Sequence, residues 1–381
     1  MATPLLFAVY GGREDVVRLL LDGGADVMEC EEEGWTSLHI AAQQGSLGIV
    51  NLLLERGASI SARTNHHLTP LMISAIHGRE DTVAVLLDKG AHIEEHNEEG
   101  WTSLFVASHK RHLGVVRLLL ARGASVSARN KRQHTPLTLA AIQGCESVVR
   151  LLLDKGAHME DCDETGGMSL FYAAQLGHLD IVTLLLERGA SIDARNKRQN
   201  TPLMTAAGNG QDDVVRLLLD KGADIEDCDK DGWTSLHQVV QGGHPSTARL
   251  LLERGAGVNA LDNEHRTSLH HAAQQGLIGI IQLLVDRGAV LEARDMNGWT
   301  ALYSAVRCSQ ESATKLLLGL GSDPRTRADD GTTLLDIVGR CRCATKDAER
   351  DARIRESLMR AGCTEETGRI PLERGIRPAD A

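Results

Sequence analysis

A segment near the N-terminus limits what this chain can fold into, because its pattern returns at a constant interval, the one that separates Thr36 from Thr69. The segment runs from Gly34 to Arg63 and reads as a turn, a short helix, a tight turn, a longer helix and an extended finger. Triplets related to Thr36-Ser37-Leu38 begin at Thr3, Thr69, Thr102, Thr135, Met168, Thr201, Thr234, Thr267 and Thr300. A constant period in this range predicts a stack of small repeated units rather than one globular core.

The local signals within one repeat agree on two helices. Thr69 is a helix-capping residue type, and Pro70 follows it at the first helical position, where its missing N–H group does no harm. Gly78 is expected to end the short helix, because glycine readily adopts the left-handed conformation that follows a helix. Gly90 ends the second helix, and the finger follows. Two helices of this size cannot bury their apolar faces alone, so each repeat must pack on its neighbours.

This unit resembles the ankyrin repeat. The family pattern stands in Gly232-Trp233-Thr234-Ser235-Leu236-His237 and in the segment from Val214 to Asp224, which holds the leucine run and the Gly-Ala-Asp turn. Over roughly residues 1–362, the resemblance implies an all-α repeat solenoid of about ten to eleven ankyrin-type helix-turn-helix units with β-turn fingers. It also implies a scaffold or adaptor for protein–protein interaction, whose partner binds in a concave groove lined by the fingers and the first helices.

Both ends of the chain depart from the pattern. We expect residues 1–331 to form ten repeats, the first without its finger, and residues 332–362 to form an atypical capping repeat with an insertion. The second helix of this cap is expected near Ala344 to Arg360, and residues 363–381 are expected to be a disordered tail. At the N-terminus, Leu6, Phe7 and Tyr10 are expected to be uncovered, unless a longer array or a partner covers them.

A second period, twice as long as the first, runs through the array, and we call it the doubled period. Odd repeats carry Pro70, Pro136 and Pro202, whereas even repeats carry Trp35, Trp101, Trp233 and Trp299, with Gly167 in place of the missing tryptophan. Finger charge alternates as well, since the fingers before the tryptophans are acidic and the others are basic. We infer duplication of a two-repeat block. The alternating charges either attract one another along the stack or match a partner with complementary charges.

Composition and charge exclude several classes of function. A net charge of −11 argues against nonspecific binding of nucleic acids or anionic membranes, and only 3% of the residues are aromatic. The chain has no apolar run of membrane-spanning length, and its first residues do not resemble a signal peptide. We therefore expect an intracellular protein without membrane insertion, placed in the cytoplasm first and in the nucleus as the alternative.

Cysteine and histidine patterns predict neither disulfides nor a metal site. Cys30, Cys162 and Cys228 occupy equivalent places two or more repeats apart, roughly 20 Å at the least, which is too far for a disulfide or a shared zinc ion. The close pair Cys341 and Cys343 is expected to be reduced. His39, His237 and His270 hold the family position at which histidine forms structural hydrogen bonds between neighbouring repeats.

No set of residues predicts catalysis. Gly208 and Gly210 lack the third glycine of a dinucleotide-binding motif, and no nucleophile-elbow, phosphate-loop or kinase motif occurs. The sequence therefore predicts a chain that is not an enzyme, with no catalytic residues, no metal, no cofactor and no small-molecule substrate.

Candidate partner-binding residues are the finger tryptophans and the variable positions near the ends of the first helices. They are Trp35, Gln43, Gln44, His77, Trp101, His109, Lys110, Gln143, Gln175, Asn209, Trp233, Gln274, Gln275, Trp299 and Arg307. Tryptophan is enriched in interface hot spots because it buries a large area at low entropic cost. A structural role is the alternative, in which each ring lies across the next finger or on an arginine side chain.

Departures from the consensus point to specialised places in the array, and two further functions stay open. Arg111 and Ser309 replace the glycine that ends the first helix, and the bulky pair Val239-Val240 replaces two alanines, which would strain or spread the stack. One alternative function is that the chain is the recognition part of a larger protein whose effector domain lies elsewhere. The other is polyanion binding through the basic fingers, which the interleaved acidic fingers weaken.

Overall fold

The computed structural model describes residues 3–338 and 348–363, and this part of the chain is an all-α repeat array. The helices are α1 (Pro4–Tyr10), α2 (Glu14–Asp22), α3 (Ser37–Gln44), α4 (Leu47–Glu55), α5 (Pro70–Ile76), α6 (Glu80–Asp88), α7 (Ser103–His109), α8 (Leu113–Ala121), α9 (Pro136–Ile142), α10 (Glu146–Asp154), α11 (Ser169–Leu176), α12 (Leu179–Glu187), α13 (Pro202–Gly208), α14 (Asp212–Asp220), α15 (Ser235–Gly242), α16 (Pro245–Glu253), α17 (Ser268–Gln275), α18 (Ile278–Asp286), α19 (Ala301–Arg307), α20 (Glu311–Gly319), α21 (Leu334–Ile337) and α22 (Ala348–Arg360). Repeat 1 holds α1 and α2, and so on to repeat 11, which holds α21 and α22. Finger n denotes the segment that follows repeat n.

Threonine starts the first helices as the sequence predicts. The Thr69 hydroxyl accepts the N–H of Met72 at 3.2 Å, and Pro70 occupies the first helical position. In repeat 2, Thr36 and His39 form a reciprocal capping box. A left-handed residue separates the two helices of a repeat, for example Gly45 with φ 78°. The predicted helix-turn-helix units are therefore confirmed.

The array divides into two compact regions, each with its own core. One comprises residues 3–191 with Arg195–Lys197, and the other comprises Ile192–Ala194 with the described residues from Arg198 onward. Leucine, valine, isoleucine and alanine side chains from both helices of each repeat fill these cores. At the N-terminus the expectation was wrong for Leu6, which is fully buried, whereas Phe7 and Tyr10 are exposed. The helical spacing turns Leu6 toward repeat 2 and Phe7 toward solvent.

The doubled period has a physical basis in the fingers. Four glutamates at this interval each accept a backbone N–H from the next finger: Glu94 from Ser125 at 2.7 Å, Glu160 from Ser191 at 3.0 Å, Glu226 from Gly257 at 2.7 Å, and Glu292 from Asp323 at 2.9 Å. Each glutamate lies in an odd finger and its partner in the following even finger. An odd repeat and the next even repeat are therefore tied together.

The second helices carry a matching set of ion pairs within the same two-repeat blocks. Aspartate at the end of an odd second helix pairs with arginine after the next one: Asp22 with Arg56 at 2.7 Å, Asp88 with Arg122 at 2.7 Å, Asp154 with Arg188 at 2.9 Å, and Asp220 with Arg254 at 2.7 Å. Partly exposed pairs of this kind contribute about 0–1 kcal/mol each. Their regular spacing adds a second tie on the side of the second helices.

Glycine also marks the odd fingers, because the following finger approaches closely there. A Cβ atom on Gly100 would lie 3.1 Å from the backbone nitrogen of Lys131, and one on Gly232 would lie 2.7 Å from that of Asn263. Both glycines have positive φ angles. Even fingers 2, 4, 6 and 8 carry side chains at the equivalent left-handed position, such as Gln133 with φ 62°, whereas finger 10 has Gly331 there. The two-repeat block inferred from the sequence is thus also a unit of close packing.

Two helix–helix turns contain a side chain where the other turns have glycine. Arg111 has φ 64° and Ser309 has φ 53°. The left-handed conformation costs a residue with a side chain about 1 kcal/mol relative to glycine. The backbone is therefore strained at these two departures from the consensus.

Val239 and Val240 do not spread the stack, contrary to expectation. Both side chains are fully buried in α15. A Cβ atom on Gly242 would lie 2.3 Å from the carbonyl oxygen of Gly208, so α13 and α15 come very close at their C-terminal ends. Paired glycines thus offset the volume added by the valines.

Repeat 11 packs on repeat 10 through α22. Thr333 and Asp336 cap the short helix α21, and Arg353 pairs with Glu311 at 2.8 Å. Asp351 accepts the hydroxyl of the strained Ser309 at 2.8 Å. The insertion expected in this repeat, the start of its second helix at 344–347, and the tail beyond residue 363 lie outside the described residues.

Candidate partner-binding face

The candidate residues fall on the finger bases and the C-terminal halves of the first helices. All four tryptophans are half-buried, as are Gln43, Gln44, His109, Gln143 and Gln275. The exposed candidates are His77, Lys110, Gln175, Asn209, Gln274 and Arg307. The sequence-derived set therefore consists of side chains that retain contact with solvent.

The tryptophan rings pack on the first helix of their own repeat. Trp101 lies 5.1 Å from the His109 ring and 6.4 Å from the Phe105 ring, measured between centroids. Trp299 stacks on Tyr303 at 4.6 Å, with the Arg307 guanidinium 4.3 Å from its ring centroid. The suggested arginine contact is present at this tryptophan. It comes from the same repeat rather than from the next finger.

Trp35 and Trp233 follow the same arrangement with histidines. Trp35 lies 6.0 Å from the ring of His39, and Trp233 lies 6.2 Å from that of His237. Trp233 also contacts His271 in the following repeat, at 4.6 Å. One side of each ring therefore packs against neighbouring side chains, and the rest of the ring faces solvent.

Contacts between neighbouring first helices join some candidates. The Gln43 amide lies 3.3 Å from Nε2 of His77, and Arg79 donates to the Gln43 carbonyl at 3.0 Å. Gln44 donates to the carbonyl of Tyr10 at 2.9 Å. These side chains thus form part of a continuous polar surface across repeats 1 to 3.

In the second compact region the polar candidates are also hydrogen-bonded. Gln275 donates to Gln241 at 2.9 Å, and the Gln274 carbonyl accepts from Gln310 at 3.1 Å. Asn209 donates instead to Thr205 within its own helix, at 2.8 Å. Repeats 8 to 10 therefore present a second polar surface of the same kind.

Sequence reasoning missed the residues that cap the first helices from the next repeat. Nε2 of His112 donates to the Ile76 carbonyl at 3.0 Å, and Nε2 of His178 donates to the Ile142 carbonyl at 3.1 Å. Both partners lie 36 residues earlier in the chain. Histidine in the helix–helix turn was the available signal, since the last carbonyls of a helix need donors.

The consensus histidines are structural, as predicted. Nδ1 of His39 bonds the Thr36 backbone and hydroxyl, and its Nε2 lies 3.1 Å from the carbonyls of Ala62 and Leu68 in the next finger. His270 likewise joins Thr267 to the Trp299 carbonyl at 3.0 Å. Burial lowers the pKa of His39 to about 4, so this imidazole is neutral at physiological pH.

The side chain of Tyr172, bonded to Asp163, explains why Gly167 replaces the expected tryptophan. Asp163 is almost fully buried and accepts the N–H groups of Thr165 and Gly167, at 2.7 and 2.9 Å. Its second oxygen accepts the Tyr172 hydroxyl and lies 3.2 Å from Nε2 of His134. A Cβ atom on residue 167 would lie 3.0 Å from the Tyr172 ring. Tyr172 therefore fills the space that tryptophan occupies in other repeats.

A second buried carboxylate joins finger 8 to repeat 9. Asp262 accepts the backbone N–H groups of Glu264 and Arg266, both at 2.9 Å. Its other oxygen accepts Nε of Arg266 at 2.9 Å and Nε2 of His271 at 3.0 Å. Burial raises the pKa of Asp262, but these donors outweigh burial and leave it below the usual value. The finger is thereby fastened to the first helix.

His271 makes stability depend on pH. Burial lowers its pKa from 6.5 to about 4, in surroundings that include Asp262, Arg266 and His237. The unfolded chain binds a proton near pH 6.5, whereas the folded chain does so only near pH 4. The stabilisation is therefore full above pH 6.5 and is lost as the pH falls toward 4.

Replacing His271 by glutamine should leave the free energy of unfolding at pH 7 unchanged. Between pH 7 and 5, the free energy of unfolding should fall by about 2 kcal/mol less in the variant than in the parent chain. The chain offers a precedent, since Gln238 at the equivalent place donates to Asp229 at 3.1 Å. Urea unfolding at the two pH values measures the difference. An unchanged pH dependence in the variant would assign the acid sensitivity to other groups.

Neither a metal cluster nor a disulfide occurs in the part of the chain that is described. No three histidine, cysteine, aspartate or glutamate side chains come together there as metal ligands. The described cysteines are thiols: Cys30, Cys145, Cys162, Cys228, Cys308 and Cys363. Cys341 and Cys343 lie outside the described residues. No described helix has both the length and the apolar character needed to cross a membrane.

Comparison with known families agrees with the repeated geometry. The family model described as ankyrin repeats, three copies, matches residues 1–64, 62–130, 125–196, 170–262 and 257–328. No curated protein matches the chain. The match extends over most of the sequence and over ten pairs of helices, so the chain belongs to the ankyrin repeat family.

Proposed function

We propose that this chain is a non-catalytic scaffold or adaptor inside the cell, which binds a protein partner on its fingers and first helices. Ankyrin repeats are generally modules for protein–protein interaction. The finer assignment, to this face and to a scaffold role, rests on the residues that line it. Cofactors, metals and small-molecule substrates have no part in it.

The observation that carries the proposal is the half-buried state of the tryptophan rings. Trp101 and Trp299 are held by their own first helices, so their orientation is set before a partner arrives. Orienting an aromatic side chain in advance lowers the entropic cost of binding. The Arg307 guanidinium lies over Trp299, and Lys110 follows His109, whose ring packs on Trp101; these polar side chains supply specificity.

Finger charges favour attraction along the stack over a partner with alternating charge. Arg129 pairs with Asp161 at 2.6 Å, and Arg63 lies 3.6 Å from Glu95. These basic finger residues are occupied by the adjacent acidic finger. The same pairing leaves less positive charge for a polyanion, which keeps polyanion binding a lesser alternative.

Alanine at Trp101 or Trp233 tests the tryptophans as anchors. We expect each variant to weaken binding of the natural partner by about tenfold or more, as for hot-spot tryptophans. Trp233→Ala should also lose more stability than Trp101→Ala, because the Trp233 ring contacts His271 of the next repeat. Thermal unfolding and a quantitative binding assay on the same samples separate the two effects. Full binding by both variants, with lowered melting temperatures, would make the tryptophans structural and contradict their role as anchors.

A further inference from the structure

Two neighbouring helix–helix turns bring cations together at one edge of the candidate face. The turn of repeat 3 reads His77-Gly78-Arg79, and that of repeat 4 reads His109-Lys110-Arg111-His112. His77, Arg79, Lys110 and Arg111 are exposed, and we call these four residues the basic turn patch.

The positive charges of this patch act on one another. Burial lowers the pKa of His77, and the charges of Arg79, His112 and Lys110 lower it further. Burial and then Lys110 lower the pKa of His109 in the same way. Glu80 and Asp81 follow Arg79, yet no ion pair joins a carboxylate to the patch cations among the described residues. The patch cations therefore lie near these carboxylates without forming an ion pair with them.

Arg111 is held in an unfavourable backbone conformation. Its φ of 64° is the left-handed value that glycine adopts in most turns of the array. Its backbone is held by hydrogen bonds to Ser108 and Leu113, at 3.2 and 3.1 Å, while its side chain is exposed and has no hydrogen-bond partner in the described part of the chain. Backbone strain of this kind is often found at functional sites.

An aromatic surface adjoins the cations. His109 precedes Lys110 directly, and its ring packs edge-on against Trp101 at 5.1 Å. His109 thus links the half-buried Trp101 ring to the Lys110 end of the basic turn patch in the first compact region. Its chemistry suits a ligand that carries negative charge next to an apolar side chain.

We propose that the basic turn patch and the Trp101 ring bind an acidic peptide segment of a protein partner. The proposal rests on the protein-binding function proposed above and names the chemistry of one part of the partner. A long polyanion fits less well, because finger 3 places Glu94, Glu95, Glu98 and Glu99 before Trp101 and the net charge is −11. A short acidic segment can meet the cations without passing that finger.

The test uses the full chain and labelled probes in fluorescence anisotropy. The probes are a peptide with one leucine flanked by glutamates, the same peptide with glutamines, and an oligothymidylate of equal charge. We expect the acidic peptide to bind about tenfold tighter than the glutamine peptide, from a few exposed charge contacts. Raising the salt concentration should reduce this difference.

Variants locate the site and separate binding from folding. Arg111→Gly should weaken the acidic peptide about threefold while raising the melting temperature by about 2 °C, because it removes charge and strain together. The double variant Lys110→Ser, Arg111→Gly should weaken it about tenfold. Lys155→Ser, at an exposed lysine after α10, is the matched control and should bind like the parent chain.

Three results would overturn the proposal. They are equal affinity for the acidic and glutamine peptides, undiminished binding by the double variant, and tighter binding of the oligothymidylate than of the acidic peptide. If the acidic peptide does not bind but the chain still captures its natural partner, only the assignment of the basic turn patch as a binding site would be overturned. The protein-binding function would then stand, with its partner bound elsewhere on the chain.

Discussion

Replacing Asp262 by alanine is expected to destabilise the second compact region by about 3 kcal/mol. The substitution removes a buried carboxylate that accepts hydrogen bonds from Glu264, Arg266 and His271. It leaves buried donors without an acceptor, and it leaves the Arg266 guanidinium with only the exposed Glu264 carboxylate as counter-charge, at 3.0 Å. Chemical denaturation followed by circular dichroism measures the loss.

Two further variants show which part of this loss belongs to the buried pair. Among the described residues, the Asp295 carboxylate accepts only the N–H groups of Asn297 and Trp299, so Asp295→Ala should cost about 1 kcal/mol. Asp262→Asn keeps an acceptor for the backbone N–H groups, so its loss of stability should lie between those of the two alanine variants. Equal losses for Asp262→Ala and Asp295→Ala would mean that the contacts to Arg266 and His271 contribute nothing.

Gly242→Ala is expected to have the second large effect on stability. It should destabilise the fold, whereas alanine in place of a helical glycine usually stabilises it. Alanine normally stabilises a helix by about 1 kcal/mol relative to glycine. Here the added Cβ would lie 2.3 Å from the Gly208 carbonyl oxygen and 2.6 Å from the His244 ring. Backbone atoms cannot rotate away, so we expect a net loss of about 2 kcal/mol as α13 and α15 separate.

Gly279 supplies the matched control within a helix of the same compact region. Nothing lies within 4 Å of a Cβ atom placed there, so Gly279→Ala should stabilise by up to about 1 kcal/mol. Denaturation midpoints of the two variants should move in opposite directions. A stabilising Gly242→Ala would show that the paired glycines are not what accommodates Val239 and Val240.

Most of the fold could be predicted from the sequence, because the residues that determine each helix are close in sequence and recur in successive repeats. Threonine caps, helix-ending glycines and leucine spacing each recur at a fixed interval, so one ambiguous repeat is corrected by the others. The doubled period was visible too, through Trp101 and Pro70 and their equivalents. The cause of the doubled period was not visible in the sequence, because the glutamate contacts join residues in different fingers.

The details of the candidate face depend on packing that a single sequence does not display. Tyr172 takes the space of a tryptophan only because it sits nine residues after Asp163, beside a glycine. The tryptophan rings turn toward their own helices, since residues four and eight positions later line the same face. The identity of a partner is not encoded in either feature, because the fold supports many partners.

Site-specific photo-crosslinking in living cells tests the proposed binding face most directly. A photoreactive amino acid at Gln143 or Asn209 lies on the first-helix face, whereas one at Arg150 or Arg216 lies on the exposed side of the second helix in the same repeats. We predict crosslinks to one protein partner from positions 143 and 209 and none from 150 and 216. Crosslinks to that partner from the second-helix positions alone would contradict the proposed face.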